Sequence, residues 1–375
     1  MVLRVAINGF GRIGRAVLKI GWNHPDIEWA AINDLADAGT LAHLFKYDSV
    51  FGTFPGKVEG IGKNLIIDGR SIPVTAHRDP FQLPWKELGV DIVLESSGRL
   101  TDADKARAHL SAGAGHVIIS AVADKADLTV CMGINEEMFN PDKHRILSNA
   151  SCTTNCLAPM AHVLMESFGI RRGWMTTVHC STNGQVVQDS PPHDGRGAPD
   201  VWRSVGRDPR RSRAAGASII PTSTNADKAI GVVLPGLQGK LKCLSVRVPT
   251  PNVSLVDLTV ELGRSATREE INFAFQKAAA SKLGKVLDYS DIPLVSRDFL
   301  QNPKSCIFDA TLTEVVGGGL VKVIGWYDNE WGYSNRIVDL IGAIAHKTRP
   351  LISQRRESSY DVCHAGGEGS GRFNC

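Results

Sequence analysis

Arg4-Val5-Ala6-Ile7-Asn8-Gly9-Phe10-Gly11-Arg12-Ile13-Gly14-Arg15-Ala16-Val17-Leu18 reads as a short apolar strand, a turn on three glycines, and the start of a helix. Glycines at 9, 11 and 14 permit a tight turn and a close backbone approach to a pyrophosphate. The free N–H groups of the helix start then receive its negative charge. A second strand runs from Glu28 to Asn33 and ends at Asp34, twenty positions after Gly14. There a carboxylate meets the hydroxyls of an adenosine ribose. The competing reading makes Asp34 the cap of a helix over Ala36–Phe45. A carboxylate at the ribose also repels a 2′-phosphate, by about 4 kcal/mol at 4 Å and an effective dielectric near 20. The cofactor expected is therefore NAD rather than NADP.

Outward from this turn, strands and helices alternate through the first 150 residues. Asp91–Glu95 and His116–Ser120 are short apolar strands, and Asp102–Ala112 between them has helical character. This is the pattern of a parallel sheet wound with helices, a Rossmann-type unit. Lys57–Val74 differs: Gly60, Gly62 and Asp68-Gly69 break it into antiparallel hairpins. Beyond 150 the strands lengthen, at Gly173–Cys180, Leu241–Val248, Leu255–Leu262, Ser305–Leu312 and Leu320–Tyr327. One helix, Arg268–Lys282, lies among them, with Asn272 near its middle. The expected architecture is α/β: a dinucleotide-binding domain over 1–150, then an α+β catalytic domain over 151–330 with a large mixed or antiparallel sheet. A last helix within 331–346 packs back on the first domain. Residues 347–375 are polar and glycine-rich at the end, and read as a flexible tail.

At 375 residues the chain can hold two cores. A net charge of +3 gives no electrostatic case for nucleic acid or an anionic membrane as the main partner. The eight cysteines form no C-x-x-C pair, and none has zinc-ligand spacing with histidine, so no metal is expected. No apolar run is long enough to span a bilayer. The first strand follows Met1 at once, which leaves no stretch that reads as a signal peptide. A reducing, cytoplasmic setting is the expectation, and it keeps thiols usable.

One thiol stands out. Asn149-Ala150-Ser151-Cys152-Thr153-Thr154-Asn155-Cys156 places Cys152 at the apparent start of a helix that continues over Leu157–Phe168. Unpaired N–H groups and the helix dipole favour thiolate there, and thiolate is the nucleophile. The alternative is a small sulfur packed in a buried first turn.

Taken together, the motifs resemble those of the phosphorylating glyceraldehyde-3-phosphate dehydrogenases. The likeness covers about Val2–His346. It rests on Ile7–Arg15, Lys46-Tyr47-Asp48-Ser49, Ser148–Cys156, Thr176-Thr177-Val178-His179, Arg247–Ser254 and Trp326–Tyr333. The resemblance implies that Cys152 attacks an aldehyde to give a thiohemiacetal and that His179 accepts its proton. Hydride passes to NAD, and inorganic phosphate cleaves the resulting thioester to 1,3-bisphosphoglycerate. It implies one phosphate site at Thr182 and Arg247, and another at Ser151, Thr153, Thr224 and Asn225, with Arg211 nearby. Cofactor contacts are implied at Arg12, Ile13, Asp34, Arg78, Ser120 and Asn329, beside the glycine turn itself. A homotetramer is implied as well.

Departures from the family pattern are specific. Ala-Tyr-Thr after the histidine is Cys180-Ser181-Thr182 here, and Ser-Ala-Pro is Ser120-Ala121-Val122. The phosphate-loop glycine is Asn225, which tolerates a left-handed backbone, and it is followed by Asp227. About a dozen residues are inserted around 195–208, with Arg196, Trp202, Arg203 and Arg207 in them and Arg210 just after. They read as a solvated or interface loop rather than a nucleic-acid patch. Cys363 and Cys375 are candidates for a regulatory disulfide. Two alternatives stay open: oxidation of erythrose 4-phosphate, suggested by Leu83–Asp91 and Pro293–Phe299, and a non-catalytic binding protein of the same fold.

Overall fold

The computed structural model describes residues 2–190 and 208–364, with side chains described to residue 348. The opening stretch forms β1 (Leu3–Asn8), the glycine turn and α1 (Arg12–Gly21). β2 (Ile27–Asn33) and α2 (Ala38–Lys46) follow, then a two-strand ribbon of β3 (Tyr47–Asp48) and β4 (Gly52–Thr53). β5 (Val58–Ile61), β6 (Asn64–Ile67) and β7 (Arg70–Thr75) are the antiparallel hairpins that the glycines indicate. β8 (Ile92–Glu95), α3 (Ala103–Ser111), β9 (His116–Ile119), β10 (Leu128–Thr129) and β11 (Ile146–Ser148) complete the first sheet. Its order is β10-β11-β9-β8-β1-β2-β7-β6-β5, and its pairs are parallel from β10 through β7. The chain leaves β1 toward β2 and β7, then returns to β8 on the other side. A crevice therefore opens at the carboxyl ends of β1 and β8, where the strand order reverses.

α4 (Cys152–Phe168) leads into the second sheet of β12 (Ile170–Cys180), β13 (Ile220–Thr222), β14 (Leu241–Val248), β15 (Ser254–Leu262), β16 (Leu287–Ser290), β17 (Cys306–Val316) and β18 (Leu320–Tyr327). The order β13-β14-β12-β15-β18-β17-β16 mixes antiparallel pairs with two parallel ones, β12 with β14 and β16 with β17. α4, α5 (Ala226–Val233) and α6 (Arg268–Ala279) cover one face. Leu157, Leu164, Ile230, Ile271 and Phe275 pack there on Met175, Val256 and Phe308. α6 starts with a reciprocal Thr267–Glu270 capping box. Asn272, out of place by propensity, binds the Ala310 carbonyl and Thr313 through its amide.

α7 (Trp331–His364) packs Tyr333, Ile337, Leu340, Ile341 and Ile344 into the core of the first sheet. It runs past His346, so residues 347–364 are helical rather than the tail that their composition suggests. Local bonds hold the first residues past His346. The Lys347 ammonium donates to the carbonyls of Glu136, Glu137 and Phe139, and the buried Thr348 hydroxyl donates to Ile344. Cys363 belongs to this helix. Cys375, and Arg196, Trp202, Arg203 and Arg207 of the insertion, lie outside the described residues.

Candidate active site

A cleft of about 1300 Å³ opens at the carboxyl ends of β1 and β8 and reaches the end of β12. Gly9, Gly11, Arg12, Ile13, Asp34, Arg78, Ser120 and Asn329 line it, together with Ser151, Cys152, His179, Thr182 and Arg247. Gly14, Thr153, Arg211, Thr224 and Asn225 do not.

The glycine turn is built for close approach. Gly9 has φ +95°, and a Cβ there would lie 2.5 Å from Ser97 Cα and N. A Cβ on Gly14 would meet the Gly9 carbonyl at 2.5 Å, so this residue closes the helix onto the turn rather than facing the cleft. Gly11 caps α1 without a side-chain bond, leaving the first N–H groups of the helix open. The Asp34 carboxylate accepts the N–H groups of Phe10 at 2.8 Å and Ala36 at 3.1 Å, which sets its charge at the edge of the turn. The cap of α2 is Asp37, bonded to Thr40 N, which removes the capping alternative for Asp34. The cradle that any Cβ would fill, the open helix N-terminus and the ribose-side carboxylate suit a dinucleotide.

Arg12 does not reach into the cleft as a free cation. Its guanidinium binds Glu330 at 3.0 Å and Asp48 at 2.8 Å. Burial opposes its charge, yet these carboxylates outweigh burial and hold it above its ordinary value. Asp48, despite burial, is pulled down to about 2 by the Arg12 hydrogen bond and by the N–H groups of Phe51 and Val50. Asp48 and Glu330 both fall in the motifs that carry the family resemblance, but no role as partners of Arg12 was read for them.

At the other end of the cleft, Ser151 caps α4 by accepting Thr154 N at 3.0 Å, which starts the helix at Cys152. Ala150 before it is buried with φ +53° and turns the chain from β11 into α4. Cys152 Sγ lies 3.5 Å from His179 Nε2. His179 and Arg247 sit opposite each other in the β12–β14 register. Arg247 touches His179 Nδ1 and donates to the Cys180 carbonyl at 3.1 Å; the same carbonyl lies 2.9 Å from Nδ1. Burial and then Arg247 push His179 down to about 3, which makes it a neutral imidazole at pH 7.

The expectation of a lowered thiol pKa is not met. Burial pushes Cys152 up; Arg247 and the N–H groups of Thr153 and Cys152 oppose this without cancelling it. The shift favours the thiol form, beside a neutral imidazole 3.5 Å away that is placed to take its proton.

The phosphate-site residues divide. Thr182 and Arg247 share the cleft with Cys152. The Thr153 hydroxyl is buried against Tyr327 at 3.0 Å, which turns it from the cleft. Arg211 binds Thr222 Oγ1 at 3.1 Å, and burial followed by repulsion from Arg247 lowers its pKa. Two guanidiniums thus lie near each other, Arg211 on the turn Pro209–Ser212 and Arg247 on β14. Thr224 Oγ1 accepts Ala226 N at 3.2 Å. Asn225 has φ −94°, so the left-handed backbone expected of it is absent; it precedes α5 without a side-chain cap. Asp227 turns toward Lys242, 4.0 Å away, and not into the cleft.

Residues 3–103 match the family model described as glyceraldehyde 3-phosphate dehydrogenase, NAD binding domain. Residues 151–205 and 198–329 match the model for its C-terminal domain. A glyceraldehyde-3-phosphate dehydrogenase of Geobacillus stearothermophilus is 53% identical over 347 residues, covering 92% of this chain and 99% of the relative. The chain belongs to the glyceraldehyde-3-phosphate dehydrogenase family. Glyceraldehyde-3-phosphate dehydrogenase 1 of Bacillus subtilis is 52% identical over the same shares of the two chains. Glyceraldehyde-3-phosphate dehydrogenase 1 of Streptomyces avermitilis is 50% identical over 91% of this chain and 98% of the relative. Family membership at this identity gives an NAD-dependent oxidoreductase that acts on glyceraldehyde 3-phosphate with phosphate. Among the described residues, no helix is long and apolar enough to cross a membrane, and no cluster of three or more His, Cys, Asp or Glu could hold a metal.

Proposed function

We propose that Cys152 is the nucleophile and His179 the general base for the oxidation of glyceraldehyde 3-phosphate. The observation that supports this reading most is the 3.5 Å Cys152–His179 pair at one end of a dinucleotide cleft. His179 Nε2 takes the thiol proton as sulfur attacks the aldehyde carbon, returns it to the carbonyl oxygen to give the thiohemiacetal on Cys152, and accepts that hydroxyl proton again as the carbon gives up its hydride. Bound NAD supplies a hydride acceptor there. Arg247 both repels a charged imidazole and faces the cleft. A substrate phosphate seated on Arg247 and Thr182 offsets that repulsion, so the base gains its proton affinity when substrate is in place. Arg211, Ser151 and the backbone at Asn225 are the proposed surroundings of the attacking phosphate. The Thr153 and Thr224 hydroxyls, held within the protein, contribute to it through their backbone. Phosphorolysis of the thioester then gives the acyl phosphate.

The two units proposed are 1–150, completed by residues 331–346 of α7, and 151–330. Separate cores around the two sheets support this division. A homotetramer is proposed too. The sheet face away from α4–α6 carries Trp174, 64% exposed, and Leu244, 42% exposed, beside Val178, Val246 and Leu255. A second copy of the chain suits such a face, and light scattering showing a single-chain mass would remove this part. A cytoplasmic setting fits a site that needs a reduced thiol.

The deciding assay follows NADH absorbance with glyceraldehyde 3-phosphate, NAD and phosphate. Cys152→Ser is expected to abolish turnover, and His179→Asn to lower kcat by about 10²–10⁴. A Cys152→Ser enzyme with wild-type turnover ends the proposal.

A further inference from the structure

Asn329 lies between the two working ends of the site, and its side chain is held on one side only. Its backbone is fixed by Asp328, which accepts the N–H groups of Glu330 and Trp331 and the amide of Asn252. Its Oδ1 faces two donors. The Ser254 hydroxyl lies at 3.1 Å and the Cys180 thiol at 3.2 Å. Ser254 Oγ in turn accepts the Cys180 backbone N–H at 3.1 Å, so its own hydrogen is free for Asn329. An amide oxygen has two lone pairs, and both are used here. Among the described residues, the Asn329 Nδ2 group has no protein acceptor, and Asn329 lines the cleft.

The Cys180 thiol remains a donor, because burial pushes it up to about 12 and it keeps its hydrogen at neutral pH. Were the amide reversed, Nδ2 would meet a sulfur that accepts weakly, and the Ser254 hydrogen would lose its acceptor. The thiol at position 180 therefore does what an alanine there could not.

We propose that Cys180 is a positioning residue which, with Ser254, turns the Asn329 N–H groups into the cleft to recognise an acceptor on the nicotinamide end of the cofactor. This rests on the proposed role of Cys152, since that end must lie against the carbon the sulfur holds. The acceptor presented there by NAD is the carboxamide oxygen on the pyridinium ring. Cys180 thus serves the site twice: its carbonyl faces His179 Nδ1 and Arg247, and its side chain aims the amide.

The test is calorimetric binding of NAD and of thionicotinamide adenine dinucleotide, whose C=S is a weaker acceptor. It needs no turnover, so it is separable from failure of the catalytic reading, which Cys152→Ser tests by rate. Cys180→Ala is expected to raise the Kd for NAD about three- to tenfold, the worth of one modest hydrogen bond. The Kd for the thio analogue should rise less, so the preference for NAD shrinks. Cys180→Ser, which keeps a donor, should restore that preference. Ser254→Ala, removing the other donor, should shrink it in the same direction and serves if Cys180→Ala does not fold. A general loosening of the cleft would weaken both cofactors equally. An unchanged ratio in Cys180→Ala or Ser254→Ala, or a Cys180→Ser protein that behaves as the alanine variant, overturns the proposal.

Discussion

Replacing His109 by leucine tests the polar cluster behind the cofactor cleft. His109 is fully buried on α3, and Glu95 at the end of β8 is 2% exposed. The Trp85 indole donates to His109 Nδ1 at 3.1 Å, and an indole can only donate, so Nδ1 carries no hydrogen. The proton sits on Nε2, 3.0 Å from Glu95 Oε2, the oxygen that also accepts the Asn8 amide at 2.6 Å. The other Glu95 oxygen accepts the Ser97 N–H at 2.8 Å and the Ser97 hydroxyl. Leucine removes one bond to a buried carboxylate, worth about 1.5–3 kcal/mol, and strands the indole N–H at about 1–3 kcal/mol. Its apolar surface returns roughly 1 kcal/mol or somewhat more. The net loss expected is about 1.5–5 kcal/mol. Glutamine can donate to Glu95 and accept from Trp85, so His109→Gln should stay within about 1 kcal/mol of wild type. Urea unfolding followed by tryptophan fluorescence measures both. Because Asn8 and Ser97 line the cleft, the leucine variant should also bind NAD more weakly. A His109→Leu protein that loses under about 1 kcal/mol, or a glutamine variant no better than it, refutes the reasoning.

Acid should destabilise the protein through two histidines. His179 is held at about 3 and His116 at about 4, in each case by burial first and then by a nearby arginine, Arg247 or Arg145. Both values lie below the ordinary 6.5, so below that pH the unfolded chain takes up protons that the folded chain refuses. Stability is whole above 6.5 and falls as pH drops toward 4, by about 2 kcal/mol per group at pH 5. His116→Phe should remove about half of that slope in thermal melts at pH 5 and 7.5; an unaltered slope contradicts it. Gly9→Ala sets a Cβ 2.5 Å from Ser97 at φ +95°, a strain of about 2–5 kcal/mol. It should raise the Kd for NAD more than tenfold by calorimetry, and an unchanged Kd speaks against the close-approach role of the turn.

The glycine turn, Asp34 and the change from short to long strands were legible because each is a local rule of backbone or period. Cys152 stood out by its place at a helix start, whereas His179 and its pairing with the sulfur came from the family resemblance alone, because the contact depends on how α4 meets the end of β12. Long-range polar partners were the hardest to see. Glu330 is 318 positions from Arg12, and nothing in either neighbourhood announces the pair. Two misreadings were physical. Position at a helix start said thiolate, while burial, which no local pattern reports, lifted the thiol. Polar composition after His346 said tail, while Lys347 found three carbonyls to bind.

Cys152 stands where the first sheet hands the chain to the second. During translation the sulfur emerges with its own helix, twenty-seven residues before its base and well before Arg247. A nascent or prematurely terminated polypeptide therefore carries an ordinary cysteine. What the finished fold adds is the base beside the sulfur and the arginine beside the base, and that arrangement exists only once β14 lies against β12.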